Sequence, residues 1–258
     1  MRILLSNDDG VLAPGLEILH RALKKVGHVT VVAPMQERST SGHNLTLHKP
    51  LRLMKLPNGF YGVSGSPADC VYLGLRKVMK GKTDLVVSGI NRGANLGQDT
   101  FYSGTVSAAR EACIMGIPAF AVSLSTNFHR RVEDKALHFR TAGDVLVDVI
   151  KKLDWKDMPR GTLVNVNVPD VPKKKIKGFR VAKQGFQDYG GDIIERLDHR
   201  GRPYYWVGGN YRGFHKIKGS DCQVVSEGYV SLTPLQLDCT DPKYFRELAR
   251  HWTPAAEN

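Results

Sequence analysis

Short apolar runs alternate with amphipathic stretches through the first two-thirds of this chain, and nothing else in the sequence narrows its fold as much. RILLS (2–6), HVTVVAP (28–34), DLVVSG (84–89), IPAFAVSL (117–124) and TLVNVNV (162–168) have strand length and are bounded by turn residues. Between them, apolar side chains recur at helical spacing: Leu16, Leu19, Leu23 and Val26, then Ala68, Val71, Leu75 and Val78. GTVSAAREACIMG (104–116) reads as a further helix, and a long one is expected over 131–153. Pro14 suits a first helical turn, and Gly27 and Gly116 suit helix ends. Ser66, Pro67 and Asp69 have the spacing of a capping box. Buried strands alternating with helices imply an α/β fold, with a mostly parallel sheet covered on both faces.

Two regions break the pattern. Between Ser39 and Gly65, LTLHKPLRLMKL, the turn Pro57-Asn58-Gly59 and FYGVSG read as an antiparallel excursion. After residue 175, DIIERLDHRGRPYYWVGG turns near His199-Arg200-Gly201 like a hairpin arm. GYVSLTPLQLD (228–238) is then a strand, and DPKYFRELARHW (241–252) a terminal helix. The expected organisation is a core over 1–175 and a segment over 176–258 that does not fold alone, since an isolated hairpin needs a partner surface.

No charged leader precedes an apolar run, and no stretch approaches the roughly 20 apolar residues of a membrane helix. A soluble cytoplasmic protein without membrane contact is expected. Cys70, Cys113, Cys222 and Cys239 form no C-x-x-C pair, which suits reduced structural thiols and no zinc site. The formal net charge of +12 favours anionic ligands, phosphates among them. Nucleic acid is not the expected partner: the run Lys173 to Lys177 suits an exposed connection, and no aromatic-basic recognition motif accompanies it.

In open parallel sheets, ligands bind beyond the carboxyl ends of the strands. The first strand there ends in Ser6-Asn7-Asp8-Asp9-Gly10. The second is followed by QERSTSGHN with Ser39, Ser41 and His43, the strand at 84–89 by Asn91, and the strand at 117–124 by Ser125-Thr126-Asn127. Asp8, Asp9, Ser39 and Asn91 offer only oxygen donors, a set that selects a hard divalent cation (Mg²⁺, Mn²⁺ or Ca²⁺) over zinc. A plain turn with a capping aspartate would also produce NDDG. The loop NRGANLGQDTFYSGT reads as long and structureless, and Ser103-Gly104-Thr105 opens the helix that follows it. Free N–H groups and the helix dipole make such a point attractive to anions, with Asn95 nearby. A cation site and an anion site on one rim suggest phosphoryl chemistry.

MRILLSNDDG, VVAPMQERSTSG, GSPADCVYLG, SGINRGANLGQDTFYSGTVSAAREA and SDCQVVSEGYVSLTPLQLDCTD together resemble the SurE family of stationary-phase survival proteins. The resemblance implies a Rossmann-like catalytic core, a swapped C-terminal arm and homodimers or homotetramers. It implies metal-dependent hydrolysis of nucleoside 5′- and 3′-monophosphates, with exopolyphosphatase activity in some members. Carried over residue by residue, the catalytic metal ligands fall on Asp8, Asp9, Ser39 and Asn91, and the phosphate contacts on Asn95, Ser103, Gly104 and Thr105. Ala112 stands where the family often has glycine, and Ser220-Asp221 where Thr-Asp is usual.

Other readings stay open at this stage. His43 lies in a rim loop and could protonate a leaving group. Tyr102 could stack on a base, whereas Tyr204, Tyr205 and Trp206 suit arm packing or an interface. Asp8 could be a nucleophile, although adjacent rather than alternating aspartates favour a shared metal. A regulator that binds nucleotide or RNA through the basic surface would show salt-sensitive, metal-independent binding. An oxidoreductase is disfavoured, because NDDGVLAPG is not G-x-G-x-x-G.

Overall fold

The computed structural model describes residues 1–126 and 133–252. In chain order the elements are β1 (Arg2–Ser6), α1 (Pro14–Leu23), β2 (His28–Pro34), β3 (Leu53–Lys55), β4 (Tyr61–Val63), α2 (Pro67–Leu73), β5 (Leu85–Arg92), α3 (Gly104–Ile114), β6 (Ala119–Ser125), α4 (Phe139–Lys152) and β7 (Thr162–Pro169). The second part adds β8 (Phe179–Val181), β9 (Gln187–Tyr189), β10 (Ile193–Leu197), β11 (Pro203–Val207), β12 (Tyr211–Phe214), α5 (Asp221–Ser226), β13 (Val230–Gln236) and α6 (Pro242–Trp252).

Among the described residues, nine strands form one sheet in the order β3-β4-β2-β1-β5-β6-β7-β13-β8. From β4 to β7 all neighbours are parallel, while β3 and β13 run antiparallel to β4 and β7. Strand alternation divides the core between two layers. Ile3, Leu5, Val87 and Phe120 pack with Leu16, Leu19, Val145 and Leu146 of α1 and α4. Leu4, Val86 and Ala121 pack with Val71, Val106 and Ala109 of α2 and α3 on the opposite face. The capping box forms as its spacing requires: Ser66 Oγ accepts from Asp69 N–H at 3.1 Å, and Asp69 Oδ2 accepts from Ser66 N–H at 2.8 Å.

Several boundaries differ from the sequence expectation. The first helix stops at Leu23, and a turn leads to His28, whose N–H reaches Met1 O at 2.8 Å. The fourth begins at Phe139, not 131; His138 before it is tied to Asp170 through its N–H and its ring Nδ1. The stretch 127–132, including Asn127 and the expected start of that helix, lies outside the described residues. β5 continues past Gly89 because Asn91 and Arg92 pair with Ser123 and Leu124 of β6. Asn91 therefore sits on a strand. The loop after it is also less structureless than expected, since Gly97–Phe101 forms a 3₁₀ turn.

The segment after residue 175 adds β13 and β8 to the central sheet. What projects is the hairpin β10–β11, exposed along its whole length, with the small β9–β12 pair at its root. Cys70, Cys113 and Cys222 are buried free thiols, and Cys239 is exposed. No described helix is long and apolar enough to cross a membrane.

Candidate active site

β1 and β5 lie side by side in parallel, with Ser6 opposite Ser88, so both deliver their following residues to the same rim. Beyond β1 the chain turns sharply, held by Asn7 Nδ2 donating to Gly10 O at 2.9 Å. Asp8 is only 4% exposed. Its carboxylate faces the first turn of α3, where Thr105 donates through both its hydroxyl and its backbone N–H. Gly104 backs onto the same carboxylate: a Cβ there would lie 2.7 Å from Asp8 Cβ and 2.8 Å from Oδ2. Only glycine allows this approach.

The electrostatics of the pair are unfavourable as the chain stands. Burial pushes the Asp8 carboxyl above its ordinary value, and the two Thr105 bonds oppose that only in part. Asp9 is pushed up to about 7, first by burial and then by repulsion from Asp8, against a backbone hydrogen bond from Arg92. Glu37, on the loop after β2, raises both further. Burial and like charge favour the neutral form of a carboxyl, and a bound cation would reverse that.

The loop after β2 reaches this point through Arg38, whose N–H donates to Asp8 O at 2.8 Å. Ser39 follows, with its hydroxyl donating to Glu37 Oε1 at 2.6 Å. Asn91 Nδ2 donates to Gly93 O at 2.9 Å, a bond that uses the amide nitrogen and not the oxygen. Asp8 and Asp9 thus stand together at the end of β1, with Asn91 on the neighbouring strand and Ser39 on the adjoining loop. Among the described residues no three His, Cys, Asp or Glu side chains cluster as a metal site. The donors here are two carboxylates and neutral oxygens, which fit a hard cation that retains water in its remaining positions.

The phosphate-side candidates divide. Ser103 caps α3, its Oγ accepting from Val106 N–H at 3.0 Å. The anion at that helix start is the Asp8 carboxylate itself, so the expected open anion site is partly filled from within. Asn95 is nearly buried and locked from below. Its N–H donates to Asn167 Oδ1 at 2.9 Å, its carbonyl accepts from Asn165 and Asn167 at 2.8 and 3.0 Å, and its Nδ2 donates to Ser123 Oγ at 2.8 Å. Asn165 and Asn167 escaped sequence reasoning because TLVNVNV reads as a plain core strand. The available signal was two asparagines at alternate positions, hence on one face.

His43 is engaged by Glu111, a buried carboxylate on α3, with Nε2 and Oε2 2.9 Å apart. It ties its loop to α3, and Gly42 N–H adds a bond to Tyr102 O at 3.0 Å. Tyr102 itself is 64% exposed beside the site. Tyr204, Tyr205 and Trp206 lie on the projecting β11.

Residues 3–191 match the family model for survival protein SurE. A 5′-nucleotidase SurE of Geobacter sulfurreducens is 50% identical over 241 residues, covering 93% of this chain and 90% of the relative. Another of Legionella pneumophila strain Lens is 45% identical over 249 residues, 96% of each chain. The crystal structure of the SurE protein from Aquifex aeolicus superposes with a TM-score of 0.83 at 41% identity, covering 97% of this chain and 99% of the other.

Proposed function

The chain belongs to the SurE family, and from that premise we propose that it is a metal-dependent phosphomonoesterase hydrolysing nucleoside monophosphates to nucleoside and phosphate. The observation that carries this reading is the Asp8–Asp9 pair, both raised in pKa, with Asp8 buried against the start of α3 and Asp9 half-buried beside it. Relatives matching over nine-tenths of the chain are 5′-nucleotidases, which supports a nucleotide as substrate.

Asp8, Asp9, Asn91 and Ser39 would hold one divalent cation, Mg²⁺ or Mn²⁺, with Ca²⁺ able to occupy the same oxygens. When bound, it supplies positive charge to the phosphoryl oxygens and acidifies water. Thr105 orients Asp8 through two donors, which fixes one ligand before substrate arrives. The N-terminal dipole of α3 favours negative charge at the rim. Asn95 and Ser103 would contact the phosphate, and the asparagines beneath Asn95 would hold it still as charge develops. The net charge of +12 favours approach of anionic substrates.

Because these residues would grip phosphate rather than base, the reading extends to 3′-monophosphates and to the terminal phosphate of polyphosphate. It includes assembly as a dimer or tetramer through the C-terminal arm, whose α6 leaves Tyr244, Phe245 and Leu248 exposed, and residence in the cytoplasm.

Phosphate release from a panel of nucleoside monophosphates, with Mg²⁺, Mn²⁺ or EDTA, tests the proposal. Release that requires a divalent cation supports it. No release with any cation would overturn it.

A further inference from the structure

The segment SDCQ opens α5, far along the chain from the rim, and the chemistry above makes no use of it. Yet Asp221 is fully buried, at 0% exposure. Its Oδ2 accepts from Gly97 N–H at 3.0 Å, and its Oδ1 accepts from Gly185 and Cys222 N–H, each at 2.8 Å. One carboxylate therefore joins the loop between β5 and α3, the root of the arm, and the start of α5.

The three segments cross closely. A Cβ on Gly97, whose φ is +55°, would lie 3.0 Å from the Gly185 carbonyl, and one on Gly185 would lie 2.8 Å from Asp221 Oδ1. Further bonds run between the same partners. Gln184 Nε2 donates to Gly97 O at 2.8 Å and to Thr100 Oγ1 at 2.9 Å. Gln98 and Gln187 exchange two bonds of 2.7 Å, and the Tyr189 hydroxyl donates to Asp99 at 2.5 Å. Leu96 packs with Cys222 and Val225 beneath the crossing. The loop so clamped begins at Asn95 and ends at Ser103.

We propose that Asp221 is a positioning residue for phosphate binding: it pins the 95–103 loop to the root of the arm and so holds Asn95 over β6 and β7 and Ser103 at the start of α3, whose first turn faces Asp8. The inference rests on the phosphomonoesterase reading. A carboxylate suits the position because all three of its neighbours are donors. Asparagine must turn its NH₂ toward one set of them, freeing either Gly97 or the pair Gly185 and Cys222.

The experiment uses full-length Asp221→Asn and Gln184→Ala, and reads kcat and KM, Mn²⁺ affinity, and amide exchange over 95–103. Asp221→Asn is expected to lower kcat/KM about tenfold or more, as misplacement of a substrate-holding loop does. Mn²⁺ affinity should stay within about twofold of wild type, because Asp8 and Asp9 follow β1 and lie outside the pinned loop. Exchange over 95–103 should accelerate, with Gln184→Ala showing a smaller change in the same direction. If Asp221→Asn does not fold, Gln184→Ala decides by the same three readouts. Wild-type kinetics and exchange in the folded variants would overturn the inference, as would joint loss of turnover, Mn²⁺ affinity and thermal stability, which marks a merely structural role. Wild-type protein inactive on every monophosphate would sink the phosphomonoesterase reading, and the exchange rates would still decide for or against the pin.

Discussion

The same two strands, β1 and β5, hold aspartates at opposite ends of the sheet, and the two ends treat them in opposite ways. At the amino ends, Asp84 Oδ2 accepts from Arg2 N–H at 2.7 Å and its Oδ1 from the Arg2 guanidinium at 2.9 Å. These bonds hold its carboxyl down to about 2. At the carboxyl ends, burial drives Asp8 up and Asp9 to about 7. One end is satisfied by the chain itself. The other leaves charge that a cation would neutralise, which is how functional sites commonly differ from structural ones.

Replacing Asp8 should break the comparison most severely. Asp8→Asn is expected to cut turnover about a thousandfold or more, from loss of several kcal/mol of charge stabilisation at the phosphoryl group. The metal-free variant should melt at a higher temperature than metal-free wild type, because a buried carboxylate is gone; a lower melting point would show that Asp8 is structurally required. Gly104→Ala comes next. Its Cβ would press on Asp8, and a displacement of that kind is expected to cost about tenfold to a hundredfold in turnover with weakened metal affinity. Unchanged steady-state kinetics in that variant would mean that the start of α3 does not set the geometry of Asp8.

Acid–base behaviour sharpens the contrast. Asp9 has a folded pKa of about 7 against an ordinary 3.8, so its contribution to stability is fully present below about 4 and is lost as pH rises through 7. Melting of metal-free protein should therefore fall across that window, and Mn²⁺ should restore it. Asp84 has the reverse sign: its folded pKa of about 2 gives stability that is present above about 4 and lost as pH falls through 2. Its side chain is a third exposed, which weakens the pair. Asp84→Asn should lower the melting temperature by only about 1 °C near neutrality, with unchanged turnover, and the difference should vanish near pH 2.

Much of the layer architecture was legible in the sequence, because strand and helix periods are local signals. β1, β2, β6 and β7 fall close to where their apolar runs predict them, and the capping box at Ser66 forms as spaced. The ends were less legible. β5 runs on to Arg92 because β6 offers it partners, a tertiary fact that no local pattern carries. The oxygen-rich rim was readable from Asp8, Asp9 and Asn91, since a parallel sheet gathers its strand ends on one side. The floor under Asn95 and the pin at Asp221 were not: the alternation of Asn165 and Asn167 marks a shared face but not what it meets, and partners 72 and 124 positions apart are set by tertiary contact alone.

Equilibrium dialysis against Mn²⁺ is the direct test of the contrast between the two ends, applied to wild type, Asp8→Asn and Asp84→Asn in parallel. One ion per chain in wild type and Asp84→Asn, with binding abolished in Asp8→Asn, is the expected result. Equal binding by all three proteins would contradict the assignment of the cation to the Asp8–Asp9 rim.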